Sequence, residues 1–391
     1  MPTDEEKETV SVRKPGSTVW LQLNLTPEGP DDKSRAANDE LRQMLLTALQ
    51  MQHMIVLAGS GCSIVAGGPT MTALWDAAVG DPPKPASATI AKKVGHAPDK
   101  KDIEALLSRM EAYLQVQEDA SIREALNGSK KVILDRCSTF LDTAKLETHR
   151  TFLHRLSRRR VRDERLKVFT TNYDLCFEAA TADIGGVFLD GFSFAAPRRY
   201  DPRFFGYDIV RRDRAGADPA HYLEGVFLLH KLHGSVNWAR QADGSIVETS
   251  NPTPENACLI YPAQGKFQQA FVQPHLESLA QYLSAVREPN TCVLVIGFGF
   301  NDDHLSEPLL SAIRSNPHLR VVIVDRSAEE RIRDEKASQY WHRFSELAQA
   351  GEDVWFISVP FDTFARLIPD LKSLTPADNL VKALKAITRD S

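Results

Sequence analysis

The sequence predicts a doubly wound, mostly parallel α/β sheet carrying an inserted helical subdomain. Three observations support this: six short apolar runs, helical patterns between most of them, and one long helical stretch that interrupts the alternation. The apolar runs, each flanked by turn residues, are Met54–Ala58, Lys167–Thr170, Val226–Leu232, Cys292–Ile296, Leu319–Val324 and Val354–Val359. Each has the length of a strand buried on both faces. Helical spacing is read over Asp102–Asn127, Lys130–Ala144, Glu147–Arg159, Ala270–Val286, His304–Ser315, Ala328–Ala348 and Asp362–Leu371. Strands alternating with helices imply right-handed crossovers and parallel pairing.

Along the chain, residues 1–40 are rich in Pro, Gly, Asp, Glu and Lys, with Val19–Leu25 the apolar exception, which predicts a mobile N-terminal arm. Residues 41–391 are then expected to form one α/β domain. Between its first two strands the pattern is almost wholly helical, which predicts an insertion over residues 82–165. Phe188–Glu224 has no clear period and is expected to be a long functional loop.

The first strand runs straight into Gly59-Ser60-Gly61-Cys62-Ser63, followed by Gly67-Gly68-Pro69 and a helical pattern over Thr72–Val79. Glycines at a strand-to-helix turn let backbone N–H groups approach a phosphate, although the same pair is often only a tight turn. The second strand ends in Thr170-Thr171-Asn172-Tyr173-Asp174, placing polar groups where parallel sheets bind ligands; Asn172 or Asp174 can equally cap the helix that follows. The third ends in His230-Lys231-Leu232-His233-Gly234. His233, with a glycine beside it and Asn172 on a neighbouring strand, is a candidate acid or base. The fourth leads into Gly297-Phe298-Gly299-Phe300-Asn301-Asp302-Asp303-His304, where Asp302 and Asp303 are possible helix caps and the glycine turn a possible ribose or phosphate contact. The fifth ends at Asp325, suited either to ribose hydroxyls or to capping the helix from Ser327.

Composition excludes several classes. With 391 residues, 42% hydrophobic and 25% charged, the chain can build a large core, and no run approaches the roughly 18 apolar residues of a membrane helix. The acidic, Lys-containing start lacks a signal-peptide core, so a cytoplasmic location is expected. A net charge of −5 argues against direct nucleic-acid binding. Arg155, Arg158, Arg159, Arg160, Arg162 and Arg165 form a basic run that is read first as a solvated helix end. Five cysteines, Cys62, Cys137, Cys176, Cys258 and Cys292, make no C-x-x-C pair, so reduced thiols and no zinc are expected. The absence of G-x-x-x-x-G-K-[ST] argues against a P-loop NTPase.

Taken in order, these segments resemble the sirtuin family. Ala58-Gly59-Ser60-Gly61-Cys62-Ser63 with Gly68-Pro69 is similar to its G-A-G-x-S…G-x-P loop, Thr171-Asn172-Tyr173-Asp174 to its Q-N-x-D motif, and His233-Gly234 to its H-G motif. Gly297-Phe298-Gly299 stands where that family has Gly-Thr-Ser. The wording T-T-N-Y-D, L-H-G-S-V-N-W and G-F-G-F-N-D-D-H is more similar still to bacterial sirtuin-like NAD hydrolases of anti-phage defence. Two departures bear on substrate: the family's zinc-module cysteines are missing, and Thr70-Met71-Thr72 replaces its Asp-Phe-Arg, both against an acyl-lysine groove.

The resemblance implies a Rossmann-like catalytic domain that cleaves NAD to ADP-ribose and nicotinamide, with NAD as substrate and no zinc. Asn172 and His233 would be catalytic. Ala58, Gly59, Ser60, Ser63, Pro69, Thr171, Asp174, Gly297, Phe298, Gly299 and Asp325 would contact NAD, Asp174 at the carboxamide and Asp325 at the adenosine ribose. ADP-ribosyl or acyl transfer, or NAD or ADP-ribose sensing without turnover, are the alternatives. The helical insertion offers surface beyond what the α/β domain needs and no regulatory domain is evident, so a homo-oligomer is expected, and the resemblance implies a possible HerA-like ATPase partner. Ile103, Leu106, Leu107, Met110 and Leu114 form a helical stripe, read as packing within the chain or, less commonly, as a subunit contact.

Overall fold

The fold is a computed structural model that describes residues 8–26, 29–31, 34–159, 163–211, 221–261 and 272–370. Among these residues the strands are β1 (Glu8–Arg13), β2 (Leu21–Thr26), β3 (Gly29–Pro30), β4 (His53–Ala58), β5 (Leu166–Thr170), β6 (Val187–Leu189), β7 (Val210–Arg211), β8 (His221–Tyr222), β9 (Val226–Lys231), β10 (Gly234–Arg240), β11 (Ile246–Glu248), β12 (Ala257–Leu259), β13 (Thr291–Ile296), β14 (Leu319–Asp325) and β15 (Val354–Ser358). Ten form one sheet in the order β3-β2-β1-β15-β14-β13-β4-β5-β9-β6. From β15 to β6 every pairing is parallel. β1, β2 and β3 extend the β15 edge antiparallel.

Side-chain alternation explains why both faces are covered. Met54, Val56 and Ala58 of β4, with Cys292, Leu294 and Ile296 of β13, enter one apolar cluster. Ile55, Leu57, Val293 and Val295, which point the other way, enter a second. The first is closed by helices Arg35–Leu49, Glu147–Ser157, Cys176–Asp183 and Phe361–Leu367. The second is closed by His275–Ala285, Asp303–Ser315 and Gln339–Gln349. This is the doubly wound architecture, and all six strands read from the sequence are present.

Several expectations change. Residues 8–26, read as part of a mobile arm, instead supply two strands of the main sheet, with Val10, Val12 and Leu23 buried. The backbone pairing of β1 with β15 outweighs the polar composition. The pattern Asp102–Asn127 is two helices, Ile103–Val116 and Ala120–Thr139, because Asp119 accepts from the N–H groups of Ser121 and Ile122 and starts a new one. The second runs on through Lys130, so the pattern Lys130–Ala144 does not begin a separate helix. Ala328–Ala348 likewise divides into Ala328–Arg333 and Gln339–Gln349, and Val187–Leu189 adds a strand at the start of the expected loop.

Between β4 and β5, helices Met71–Ala78, Pro85–Lys93, Ile103–Val116 and Ala120–Thr139 share a third cluster with Val236, Leu259 and Tyr261 of the β10–β12 sheet region. The stripe Ile103, Leu106, Leu107 and Met110 is buried there, so it packs within the chain. Helix Glu147–Ser157 returns to the main sheet. The basic run serves the fold: Arg155 donates to the main-chain oxygens of Ala365, Arg366 and Ile368, Arg159 to those of Leu49, Met51, Gln52 and Glu164, and Arg165 to Asp208. Arg160 and Arg162 lie outside the described residues.

Three buried histidines are expected to make the fold acid-sensitive. His230 is stacked between Phe169 and Phe205, His149 sits edge-on to Phe177 and Phe361, and the His275 ring faces the main-chain oxygen of Leu232 at 3.2 Å. Burial pushes the pKa of His230 down to about 3 and those of His149 and His275 to about 4. Below about pH 6.5 the unfolded chain takes up protons that the folded chain refuses, so stability falls as pH drops from 6.5 toward 4. The expected slope approaches about 1.4 kcal/mol per pH unit for each group. Urea unfolding of wild type and His230→Phe at pH 7 and pH 5 tests this: the variant is expected to lose less stability on acidification, and equal losses would remove His230 from the account.

Candidate active site

The chain leaves β4 for β5 on one side, while β13 lies on β4's other flank, so β4 and β13 bound the topological switch point of the sheet. The two glycine loops emerge there and touch. Gly59 donates to the main-chain oxygen of Ile296 at 2.9 Å and Gly61 to that of Gly297 at 3.0 Å. A Cβ on Gly59 or Gly61 would sit 2.5 Å from Gly297 backbone atoms, and Gly297 has φ +56°. Cys62 and Ser63 donate to the main-chain oxygens of Gly59 and Ser60. The glycines therefore satisfy loop-on-loop approach, and four N–H groups that the phosphate reading relied on already have main-chain acceptors. Ser60 is exposed, and Pro69 is half-buried just before Thr70, whose hydroxyl caps helix Met71–Ala78.

At the end of β5, three side chains form a fixed relay. Asn172 Nδ2 donates to the Gly59 main-chain oxygen at 2.9 Å and to Ser63 Oγ at 2.8 Å. Ser63 Oγ donates to Asp174 Oδ2 at 2.5 Å, and Asp174 Oδ1 accepts from Cys176 N–H at 3.0 Å. A carbonyl oxygen accepts only, which orients the Asn172 amide. Both its hydrogens are engaged, and Oδ1 is the atom it offers to a ligand. Asp174 holds the start of helix Cys176–Asp183 through Oδ1 and Ser63 through Oδ2. Thr171 is half-buried and donates its N–H to the main-chain oxygen of Ala58 at 3.1 Å.

Behind the relay lies a cation that the sequence reading passed over. Lys231, 2% exposed and the last residue of β9, donates to the main-chain oxygens of Tyr173 at 3.3 Å and of Asp174, and pairs with Glu178 at 3.0 Å. Burial raises the Glu178 pKa, against the lowering effect of Lys231. The pair pins the turn that carries Asn172 and Asp174.

His233 lies in the turn between β9 and β10, 3% exposed, and its main-chain oxygen accepts from Ile260 at 2.9 Å. The next residue, Gly234, has φ +82° and a Cβ there would meet the Cys258 oxygen at 1.9 Å, so only glycine fits. His233 Nε2 lies 3.5 Å from His304 Nε2, the second residue of helix Asp303–Ser315.

Two residues read as NAD contacts have other engagements. Phe298 is buried in the second apolar cluster, edge-on to Phe300, so its ring belongs to the core and only its backbone borders the loop; nothing in Gly-x-Gly spacing signals which way the intervening side chain turns. Asp325 Oδ1 accepts from Ser327 N–H at 2.8 Å and from Arg331 Nε at 3.3 Å. Gly299 follows Phe298, half-buried. Among the described residues no group of three or more His, Cys, Asp or Glu side chains is placed to hold a metal ion, and all five cysteines are free and buried.

Residues 166–345 match the family model described as SIR2-like domain. That span holds Asn172, Asp174, His233, His304 and Asp325, and it begins after the Gly59–Ser63 loop. No curated protein sequence matches the chain. Among solved structures, similarity extends to a mutant Sir2 homologue–ADP-ribose complex at 12% identity, covering 85% of this chain and 98% of that one with TM-score 0.42. A crystal structure of a Sir2 homologue–NAD complex is similar at 12% identity over 83% and 91%, TM-score 0.39. Sir2 bound to acetylated peptide is similar at 11% identity over 85% and 99%, TM-score 0.41. No helix among the described residues is long and apolar enough to cross a membrane.

Proposed function

We propose that the chain is an NAD hydrolase that releases nicotinamide and ADP-ribose. The observation that carries this reading is the orientation of Asn172. With both amide hydrogens held by Gly59 and Ser63, Oδ1 is a pre-set acceptor just past the end of β5, with His233 in the turn that follows the neighbouring β9. The SIR2-like match over the segment holding these residues, and the NAD and ADP-ribose bound by the similar Sir2 structures, support NAD as the ligand.

In this reading the glycosidic C–N bond breaks and its electron pair moves to the nicotinamide nitrogen. Water oxygen bonds the anomeric carbon, and the water proton passes to His233. Asn172 Oδ1 accepts from the water or a ribose hydroxyl. Asp174 holds Ser63 and, through it, Asn172, and it faces the carboxamide. The remaining contacts are the backbones of Ala58, Gly59, Gly297, Phe298 and Gly299, with Ser60, Ser63, Pro69, Thr171 and Asp325. The biological setting we infer is a cytoplasmic NAD-depleting effector of anti-phage defence, oligomeric and paired with a HerA-like ATPase.

Incubation of the purified chain with NAD, with and without an acetyl-lysine peptide, tests the reaction. Equal nicotinamide release in both supports hydrolysis. Release only with peptide would assign acyl transfer, and binding without release would assign a sensor.

A further inference from the structure

We propose that His304 is a positioning residue of this site, acting through His233. The inference rests on the hydrolase reading above, but its geometry does not. Nε2 of His304 and Nε2 of His233 are 3.5 Å apart, with ring centroids 5.6 Å apart. Two imidazole nitrogens facing each other at that distance attract only if one carries a hydrogen and the other presents a lone pair. The contact therefore couples the tautomers: when His304 Nε2 presents its lone pair, the hydrogen of His233 sits on Nε2 and its Nδ1 is left basic.

The backbone makes this pairing specific. His233 is held in its turn by Gly234, which tolerates no side chain, and by the hydrogen bond from Ile260. His304 is fixed by the first turn of its helix, where Leu305 and Ser306 donate to the main-chain oxygen of Asp302 and Leu305 is buried in the second cluster. The two rings thus come from opposite sides of β4, one beyond β5 and one after β13, and meet over the strand ends. A 3.5 Å separation is long for a hydrogen bond, and such contacts tighten when a substrate is bound. When His233 accepts the water proton at Nδ1, its Nε2 hydrogen stays directed at the His304 lone pair, which steadies the imidazolium until the Nδ1 proton passes to solvent. His304 holds the base; it does not contact the reacting carbon.

Two measurements test the role. In steady-state NAD hydrolysis, His304→Phe is expected to lower kcat at least about tenfold with KM little changed, and His304→Gln, which keeps a polar atom facing His233, to recover most of the loss. Neither change should add to the effect of His233→Ala. Equal losses in the Phe and Gln variants, or an unchanged kcat in His304→Phe, would overturn the proposal. Independently of any substrate, ring ¹⁵N spectra report the tautomer of His233, assigned by its disappearance in His233→Ala. A single tautomer in the wild type that becomes mixed in His304→Phe supports the coupling even if the wild type fails to hydrolyse NAD. Unchanged ring shifts refute it.

Discussion

Asn172→Ala, Asn172→Asp and His233→Ala are each expected to lower nicotinamide release by roughly 10²-fold or more while leaving a folded protein. The reasons differ. Alanine at 172 removes the acceptor and two donors together. Aspartate keeps the shape but turns an oxygen toward the Gly59 carbonyl, where Nδ2 now sits at 2.9 Å, and adds a negative charge one hydroxyl away from Asp174. It is therefore expected to be at least as damaging as alanine. His233→Ala leaves the Asn172 relay in place and removes only the proton acceptor, so NAD affinity should change less than turnover. Turnover and NAD binding are measured side by side, with circular dichroism melts to confirm folding. Near-normal turnover in Asn172→Asp would show that the amide orientation has no part in the reaction.

The central sheet was legible because buried parallel strands announce themselves as short apolar runs, and β4, β5, β9, β13, β14 and β15 all do so. The edge was not. β1 reads E-T-V-S-V-R with polar residues at every other position, and its membership depends on the partner β15, more than 340 positions along the chain, as in Ser11 facing Ser358. An antiparallel strand in a polar segment, paired on both sides by β2 and β15, looks like a tail until its partners are known. At the candidate site, Asn172, Asp174 and His233 stood out because they follow buried strands, where parallel sheets bind ligands, although Asp174 also holds a helix start. Lys231 escaped notice for the converse reason. It falls inside the apolar run, where a lysine reads as the end of a strand, and only the fold brings it to Glu178 and the Tyr173 and Asp174 carbonyls. His304 had a signal, as the last residue of G-F-G-F-N-D-D-H, but its role depends on a contact with a turn 71 positions away.

Lys231→Met is expected to cost about 3–5 kcal/mol, the usual result of removing one member of a buried pair. The methionine fills the stem's volume but leaves Glu178 without its cation, one of whose oxygens is already buried without a protein partner. Two carbonyls of the site turn lose their donor as well. The pH dependence follows from Glu178. Burial raises its folded pKa above the unfolded value, and loss of Lys231 raises it further. Between those two values the folded chain binds more protons than the unfolded one, so the variant's deficit relative to wild type should grow as pH rises toward neutrality and shrink as pH falls toward the unfolded carboxylate value. Glu178→Gln combined with Lys231→Met removes the stranded charge and should restore part of the loss, flattening that pH dependence. Urea unfolding of both variants at pH 5 and pH 7.5 gives the comparison. If Lys231→Met unfolds at the wild-type midpoint, or if adding Glu178→Gln restores nothing, the pair does not hold the turn, and the position of Asn172 and Asp174 must be maintained by the Ser63 relay alone.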